Sequence, residues 1–299
     1  MKYFIYIFFL FITSMALYAS SNNIIKRINI PSIVLATSYS PVHDFLNSQT
    51  PIKPKISNTS GIQLIIESKP FALIANKPIT IRFQFLKGNK IVTEKDLKVV
   101  HTQRIHLLII DPSLKDYHHI HPLKDNKKKD FVFSFIPKNN GSYRMWVDIT
   151  PFSTNQQEFL IADLGLPSKN SYIDKKVNVN FIKGPYSFTL KLDGEPKVGQ
   201  ESMATIVVKK NGKPFTQLEP VMDSYAHLVG FSEDYFSVLH IHPMSSLSRN
   251  LAGHGGPELM FHMNFKKPGF FKLFAQFRIN GKDIFIPFSI FVLPAILNS

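Results

Sequence analysis

Residues 106–122 read HLLIIDPSLKDYHHIHP, and residues 227–243 read HLVGFSEDYFSVLHIHP. Each stretch opens on a histidine, places a second thirteen residues later and a third two beyond that, and closes on proline. Side chains two apart on a β-strand project from the same face. His119 therefore pairs with His121, and His240 with His242. The segments DPSLKD and GFSEDYF form turns. A hairpin folded between Glu233 and Asp234, and between Pro112 and Ser113 in the first copy, sets His227 opposite His240 and His106 opposite His119, with Cβ atoms about 4.5–5.5 Å apart. Three imidazoles are then expected to converge at one end of a hairpin in each half of the chain. That is a donor set for a transition-metal ion.

A fourth donor position lies five residues before the first histidine of each stretch. It holds His101 in the first copy and Met222 in the second. Exchanging imidazole for thioether is odd in packing but ordinary for copper, since both groups bind Cu(I) and imidazole also suits Cu(II). Met244 follows the second motif, and then come His254, Met260, His262 and Met263. Zinc also accepts three imidazoles; hard cations require oxygen ligands. A plainer role is open as well. Leu108, Tyr117, Val229 and Val238 share the histidine face, and a partly buried imidazole can be satisfied by a carbonyl or another histidine. His118 stands where Leu239 stands and is expected to pack.

The elements that must position these side chains are strands. From Gly61 onward, runs such as ITIRFQFLKG, FVFSFIPKNNG and YRMWVDI recur between Gly, Pro, Asn and Asp turns. The texture resumes with YSFTLKLDG, ATIVVKKNG and FFKLFAQFRING, and no long stretch has helical period. The motif repeats at an offset of 121 residues; Gly141 with SYRMWVDI matches Gly269 with FFKLFAQF at 128, because the second copy carries the insertion MSSLSRNLAGHGG. The expected fold is all-β, with two tandem immunoglobulin-like β-sandwich domains at 61–167 and 183–295 joined by a linker at 168–182.

Ahead of them, MKYFIYIFFLFITSMALYAS has a lone Lys2, an apolar run and small residues at Ala16, Ala19 and Ser20. It predicts a signal peptide over 1–20; the run is short for a spanning helix of about 20 apolar residues. Residues 21–60, punctuated by Pro31, Pro41, Pro51 and Pro54, predict an extended, disordered lead-in. The chain has no cysteine, hence no disulfide framework. The net charge of +14 is spread over strands and turns. In an exported protein it favours an anionic envelope surface over nucleic acid. The expected location is the periplasm or the exterior, with no integral membrane segment after cleavage.

The segments AHLVGFSEDYFSVLHIHP, GGPELMFHMNF and GFFKLFAQFRINGKDIFIPFSIFV resemble a group of secreted bacterial proteins. These are YtkA-like, immunoglobulin-type β-sandwich proteins associated with periplasmic copper handling. The resemblance covers most of the second domain and less of the first, where GSYRMWVDI fits but GGPELMF has no counterpart. It implies a sandwich fold and a role in copper handling.

Enzyme patterns fit poorly. LHIHP followed by AGHGG is similar to the copper ligands of copper–zinc superoxide dismutase, but that enzyme's disulfide cysteines are missing. Cupins follow His-x-His with a glutamate, whereas here PMSSL follows. There is no G-x-S-x-G elbow, phosphate loop or dinucleotide fingerprint. The expected function is therefore copper binding, delivery or buffering by a non-enzyme, with zinc as the other metal. His227, His240 and His242 with Met222 or Met244 form one site, and His106, His119 and His121 with His101 the other. The contrasting expectation is a secreted immunoglobulin-like binding or structural module that contacts a periplasmic protein partner or the envelope and whose histidines are structural; a superoxide dismutase-type redox enzyme is the third.

Overall fold

Strand alternation accounts for most of the architecture. The computed structural model describes residues 60–67, 73–125, 127–165, 172–241, 243–244 and 253–295. The expected signal peptide and, apart from Ser60, the lead-in lie outside these residues, as do positions 168–171 of the expected linker and His242. In the first repeat, β1 (Gln63–Ile66), β2 (Ile79–Lys87), β3 (Lys90–Val92), β6 (Leu123–Asp125) and β7 (Asp130–Phe135) form one sheet in the order β1-β2-β7-β6, with β3 also on β2. The facing sheet runs β5-β4-β8-β9, from β4 (Ile105–Ile110), β5 (Tyr117–Ile120), β8 (Tyr143–Ile149) and β9 (Glu158–Leu164).

The second repeat is built the same way. β10 (Asn180–Lys183), β11 (Tyr186–Leu192), β12 (Glu201–Lys210) and β13 (Lys213–Pro214) form one sheet with β16 (Glu258–Asn264) on β12. The other runs β15-β14-β17-β18, from β14 (His227–Ser232), β15 (Val238–Ile241), β17 (Gly269–Ile279) and β18 (Lys282–Val292). All ladders between these strands are antiparallel. The fold is all-β, two tandem immunoglobulin-like β-sandwiches. No helix among the described residues is long and apolar enough to cross a membrane.

Each sandwich has its own core, phenylalanine-rich in both. Ile81, Phe83 and Phe85 of β2 alternate with polar residues and meet Phe131 and Phe133 of β7. In the second, Phe188, Phe261, Phe271, Phe277 and Phe288 are fully buried. Strands β4 and β14 do not alternate: every residue of each is buried. The cause is a third apolar cluster between the sandwiches. Leu108, Ile110, Tyr117 and Trp146 of the first repeat pack there on Val229, Phe231, Phe270 and Phe274 of the second. Strands covered on both faces read as continuous apolar runs, which is how HLLIID and HLVGF read.

The pairing is nearly self-complementary. Leu108 and Val229, Ile110 and Phe231, and Tyr117 and Val238 correspond at the motif offset, as Trp146 and Phe274 do at the turn offset. The two sandwiches thus meet as two copies of one surface, the arrangement a two-fold dimer uses. Tyr117 stacks on Phe274 at 4.8 Å between ring centroids, and Phe231 lies 5.2 Å from Trp146.

Beside this interface, Asp116 closes the first hairpin turn. Its Oδ2 accepts hydrogen bonds from Tyr143 Oη at 2.6 Å and the Lys138 amide at 2.7 Å, and His118 Nε2 lies 3.1 Å away. His118 also packs edge-on against Phe135. Burial alone would raise the Asp116 carboxyl; His118, Tyr143 and the Lys138 amide override it and hold it at about 2. A carboxyl with a depressed pKa adds stability above its unfolded value and loses it as pH falls through the folded value. Asp116→Asn is expected to cost about 2 kcal/mol at neutral pH. Its deficit should shrink between about pH 4 and pH 2. Urea melts of both chains at pH 7 and pH 2.5 check this; an equal deficit at both would refute it.

Candidate metal centre

Both hairpins fold one residue further along the chain than expected. In the first, His119 lies opposite Leu108; in the second, His240 lies opposite Val229. The expectation that His106 faces His119, and His227 faces His240, is corrected by two residues of register. Asp111 is the reason in the first turn: its carboxylate holds the amides of Ser113, Lys115 and Asp116 in a six-residue loop. Ser232 and Asp234 do the same for Ser237 and Phe236. A slip of two leaves every side chain on its original face, so the histidines still share a surface.

That surface is the one between the sandwiches. His106 Nδ1 lies 3.2 Å from His119 Nε2 and 3.2 Å from His121 Nε2, and the three ligand atoms fall within 4.8 Å of one another. His240 of the second repeat closes on the same group, its ring 5.1 Å from His106 and 5.3 Å from His119. His227 stands further back, 6.3 Å from His119, 6.1 Å from His240 and 5.9 Å from His101. The structure thus places His106, His119 and His121 of the first hairpin with His240 of the second in one shared cluster, and His227 behind it, where the sequence led us to expect one centre per domain.

Hydrogen bonds from the opposite sandwich orient the rings. His119 Nδ1 lies 3.0 Å from Gln276 Oε1, and His240 Nδ1 lies 2.7 Å from Asp148 Oδ2. Asp148 sits beside His106 on β8, and Gln276 beside His227 on β17, at equivalent positions of the two repeats. Each repeat therefore steadies the other's central histidine. The supports are exchanged: Gln157 donates to Asp148 at 2.7 Å, while Gln276 donates to Asp283 at 3.2 Å.

This network fixes tautomers. Asp283 takes the amide nitrogen of Gln276, so Oε1 faces His119 and His119 Nδ1 must donate. Its Nε2 then carries a lone pair. His106 Nε2 donates to the Val100 carbonyl at 3.0 Å, which leaves a lone pair on Nδ1. Two lone pairs meet at 3.2 Å, an arrangement that a proton or a cation between them relieves. His240, held by the Asp148 carboxylate, turns its Nε2 away from that oxygen. A carboxylate behind an imidazole makes it a more basic ligand than an amide does.

Electrostatics favour the ligating form. Burial pushes His106 down to about 4, and His119 and His240 well below the usual histidine value. His121 and His101 are lowered by burial as well. Burial raises Asp148 to about 6, against the opposing pull of His106 and Gln157. At neutral pH the centre thus offers neutral imidazoles around one buried carboxylate. A cavity of about 180 Å³, lined in part by His101, Arg104, His106, Asp148 and His240, adjoins it.

The other expected ligands fall elsewhere. Met222 and His101 take equivalent places in two tight turns, with φ of 50° and 49°. His101 lines the cavity beside the centre, and Met222 is half-buried. Met244 is 56% exposed, and Met263 is buried in the second core. Sequence reasoning missed Asp148 and Gln276. Their signal was a polar residue set within an apolar run, in WVDI and FAQF, at matching repeat positions.

No curated protein matches the chain. Among solved structures, Escherichia coli alpha-2-macroglobulin activated by porcine elastase is 13% identical, with a TM-score of 0.24 over 78% of this chain and 20% of that one. The D00-D0 domain of intimin is 11% identical, with a TM-score of 0.20 over 77% of this chain and 98% of that one. Domains 4 and 5 of the S-layer protein SbsC are 14% identical, with a TM-score of 0.22 over 78% and 97%. This chain spans about a fifth of the macroglobulin's length. A family model matches twice, at residues 58–160 and 181–293. The two matches coincide with the two sandwiches and cover well over half of the chain, which therefore belongs to the family described as Domain of unknown function (DUF8832).

Proposed function

We propose that the tandem sandwich is an exported metal-binding protein with a single copper centre between its two repeats. The observation that carries this reading is the convergence of His106 Nδ1, His119 Nε2 and His121 Nε2, with His240 closing from the other sandwich. Imidazole nitrogens suit Cu(II), Cu(I) and zinc alike. The signal-like N-terminus, the lack of cysteine and the resemblance to copper-associated secreted proteins favour copper. A centre saturated by imidazoles suits delivery, buffering or sensing better than turnover, which needs an open position.

A second reading has its own observation. The bonds His119–Gln276 and His240–Asp148 tie the sandwiches together without any ion. His121 in its Nε2–H form would satisfy His106 Nδ1. The histidines would then be structural, and the protein a secreted immunoglobulin-like module that binds a partner or the cell envelope.

Metal content separates the two. Untagged mature protein, purified from a periplasm and gel-filtered without chelators, is expected to carry one copper per chain. Asp148→Asn should weaken copper binding by about 10–100-fold, since it removes the carboxylate behind His240. Zinc in place of copper would keep the centre and change the role. No metal retained after loading with Cu(I) or Cu(II) would overturn the reading.

A further inference from the structure

The second sandwich carries another group of soft donors, on the face opposite the histidine cluster. After His240 the chain leaves the β14–β15 sheet: Pro243 bridges Phe261 of β16, and the Met244 amide donates to the Met260 carbonyl at 2.7 Å. Met244 therefore lies beside Met260. Two residues along β16, His262 shares the outward face with Met260, and Met203 of β12 lies opposite His262. Side chains at such neighbouring positions have Cβ atoms about 4.5–5.5 Å apart across strands. Three thioethers and an imidazole thus occupy adjoining places on one open sheet surface.

The first repeat is an internal control. There the same four places hold Leu123 opposite Val132, and Thr80 opposite Ser134. Thr80 and Ser134 hydrogen-bond to each other at 2.7 Å, and none of the four offers sulfur or imidazole. The sandwich therefore forms without these donors. Packing does not explain them either: Met244 is 56% and Met260 49% exposed, and the His262 side chain is 49% exposed. His262 is also oriented. Its Nε2 lies 2.6 Å from Glu201 Oε2, and Asn264 Nδ2 holds the other carboxylate oxygen at 2.8 Å. With Nε2–H given to the carboxylate, Nδ1 is left as the ligating atom, the support that metal-binding histidines use.

The geometry points to a surface site for a soft monovalent cation, Cu(I), formed by Met203, Met244, Met260 and His262. Thioether-rich sets select Cu(I) over hard cations and over Zn(II). An exposed site of this kind is open to exchange with a donor protein or chelator, whereas the interfacial histidine centre is enclosed. The site stands whether or not that centre holds metal.

The test uses the full mature chain, titrated with Cu(I) under anaerobic reducing conditions against a chromophoric Cu(I) chelator. Three chains are compared: wild type, Met203→Leu/Met244→Leu/Met260→Leu, and His106→Ala/His119→Ala. Leucine keeps volume and apolarity and removes only sulfur. Wild type is expected to bind one more Cu(I) than the leucine chain, or to bind it at least about tenfold more tightly. X-ray absorption on Cu(I)-loaded protein should show a Cu–S shell in wild type and in the histidine variant, but not in the leucine chain. The wild-type spectrum stands even if the triple variant folds poorly, and Met244→Leu alone should weaken the shell. Unchanged Cu(I) binding in a folded leucine chain, or no sulfur shell in wild type, overturns the site and leaves the patch as an adaptable apolar surface for a protein partner. Failure of the interfacial centre would appear instead as unaltered binding in the histidine variant.

Discussion

The His106→Ala/His119→Ala chain is expected to lose the interfacial centre, with metal affinity falling by more than about hundredfold. Removing a residue behind a ligand costs 10–100-fold. Here two of the three converging nitrogens disappear, and the ring that bridges to Gln276 goes with them. The stability of the metal-free protein should change far less. In the free cluster His106 Nδ1 and His119 Nε2 oppose each other lone pair to lone pair, so deleting both rings relieves that repulsion. It also empties space and leaves Gln276 Oε1 without its donor. The balance is expected near 1 kcal/mol, the net worth of an ordinary hydrogen bond. Isothermal titration with Cu(II) in a weakly coordinating buffer, with thermal melts in chelator, measures both quantities. If the histidines are structural clamps, the outcome reverses: melts fall by several kcal/mol and wild type has no copper affinity to lose. The pH dependence follows from burial. His106 is held at about 4, so its imidazole stays neutral well below pH 6, whereas Asp148 takes up a proton near 6; imidazole ligation should persist into mildly acidic solution while the carboxylate's support of His240 is lost.

Much of this centre could be read from the chain, and the part that could not has a physical reason. The repeat, the strands and the shared face of the histidines follow from period two, and no local error disturbs them. The register was misread because the fold point was placed where it set histidine against histidine, one residue early, whereas Asp111 and Ser232 set it through side-chain bonds to the turn amides. Faces survived because the slip was even. The merging of two expected sites into one was out of reach for a different reason. Nothing in a strand's pattern says which partner covers its outer face, although the unbroken burial of HLLIID and HLVGFS shows that something must. Met244 was misplaced for a third reason. Extrapolating β15 past Pro243 keeps it beside His240, but at that proline the chain crosses to the other sheet.

Phe231→Ala is expected to show that the centre depends on the apolar interface beneath it. Phe231 is fully buried, with its ring 5.2 Å from Trp146, 5.4 Å from Tyr117 and 6.2 Å from Phe274. Truncating a phenylalanine in such a site costs about 3–5 kcal/mol. In a folded unit of this size each kcal/mol moves the melting midpoint by about 2–4 °C. The loss should appear as uncoupling: calorimetry in chelator is expected to resolve one transition into two as the sandwiches melt separately. Phe188→Ala removes a ring of equal size from the core of the second sandwich and supplies the comparison. It should lower that sandwich's melting but leave the interface, and so the metal affinity of the folded protein, nearly unchanged. Phe231→Ala should reduce that affinity, because His240 reaches His106 and His119 only while the two surfaces are docked. Equal affinities in the two variants would mean that the first repeat binds metal alone through His106, His119 and His121, and that the second sandwich merely covers it. The reciprocal bonds through Gln276 and Asp148 argue for the shared centre, since each repeat orients a ligand it does not itself supply.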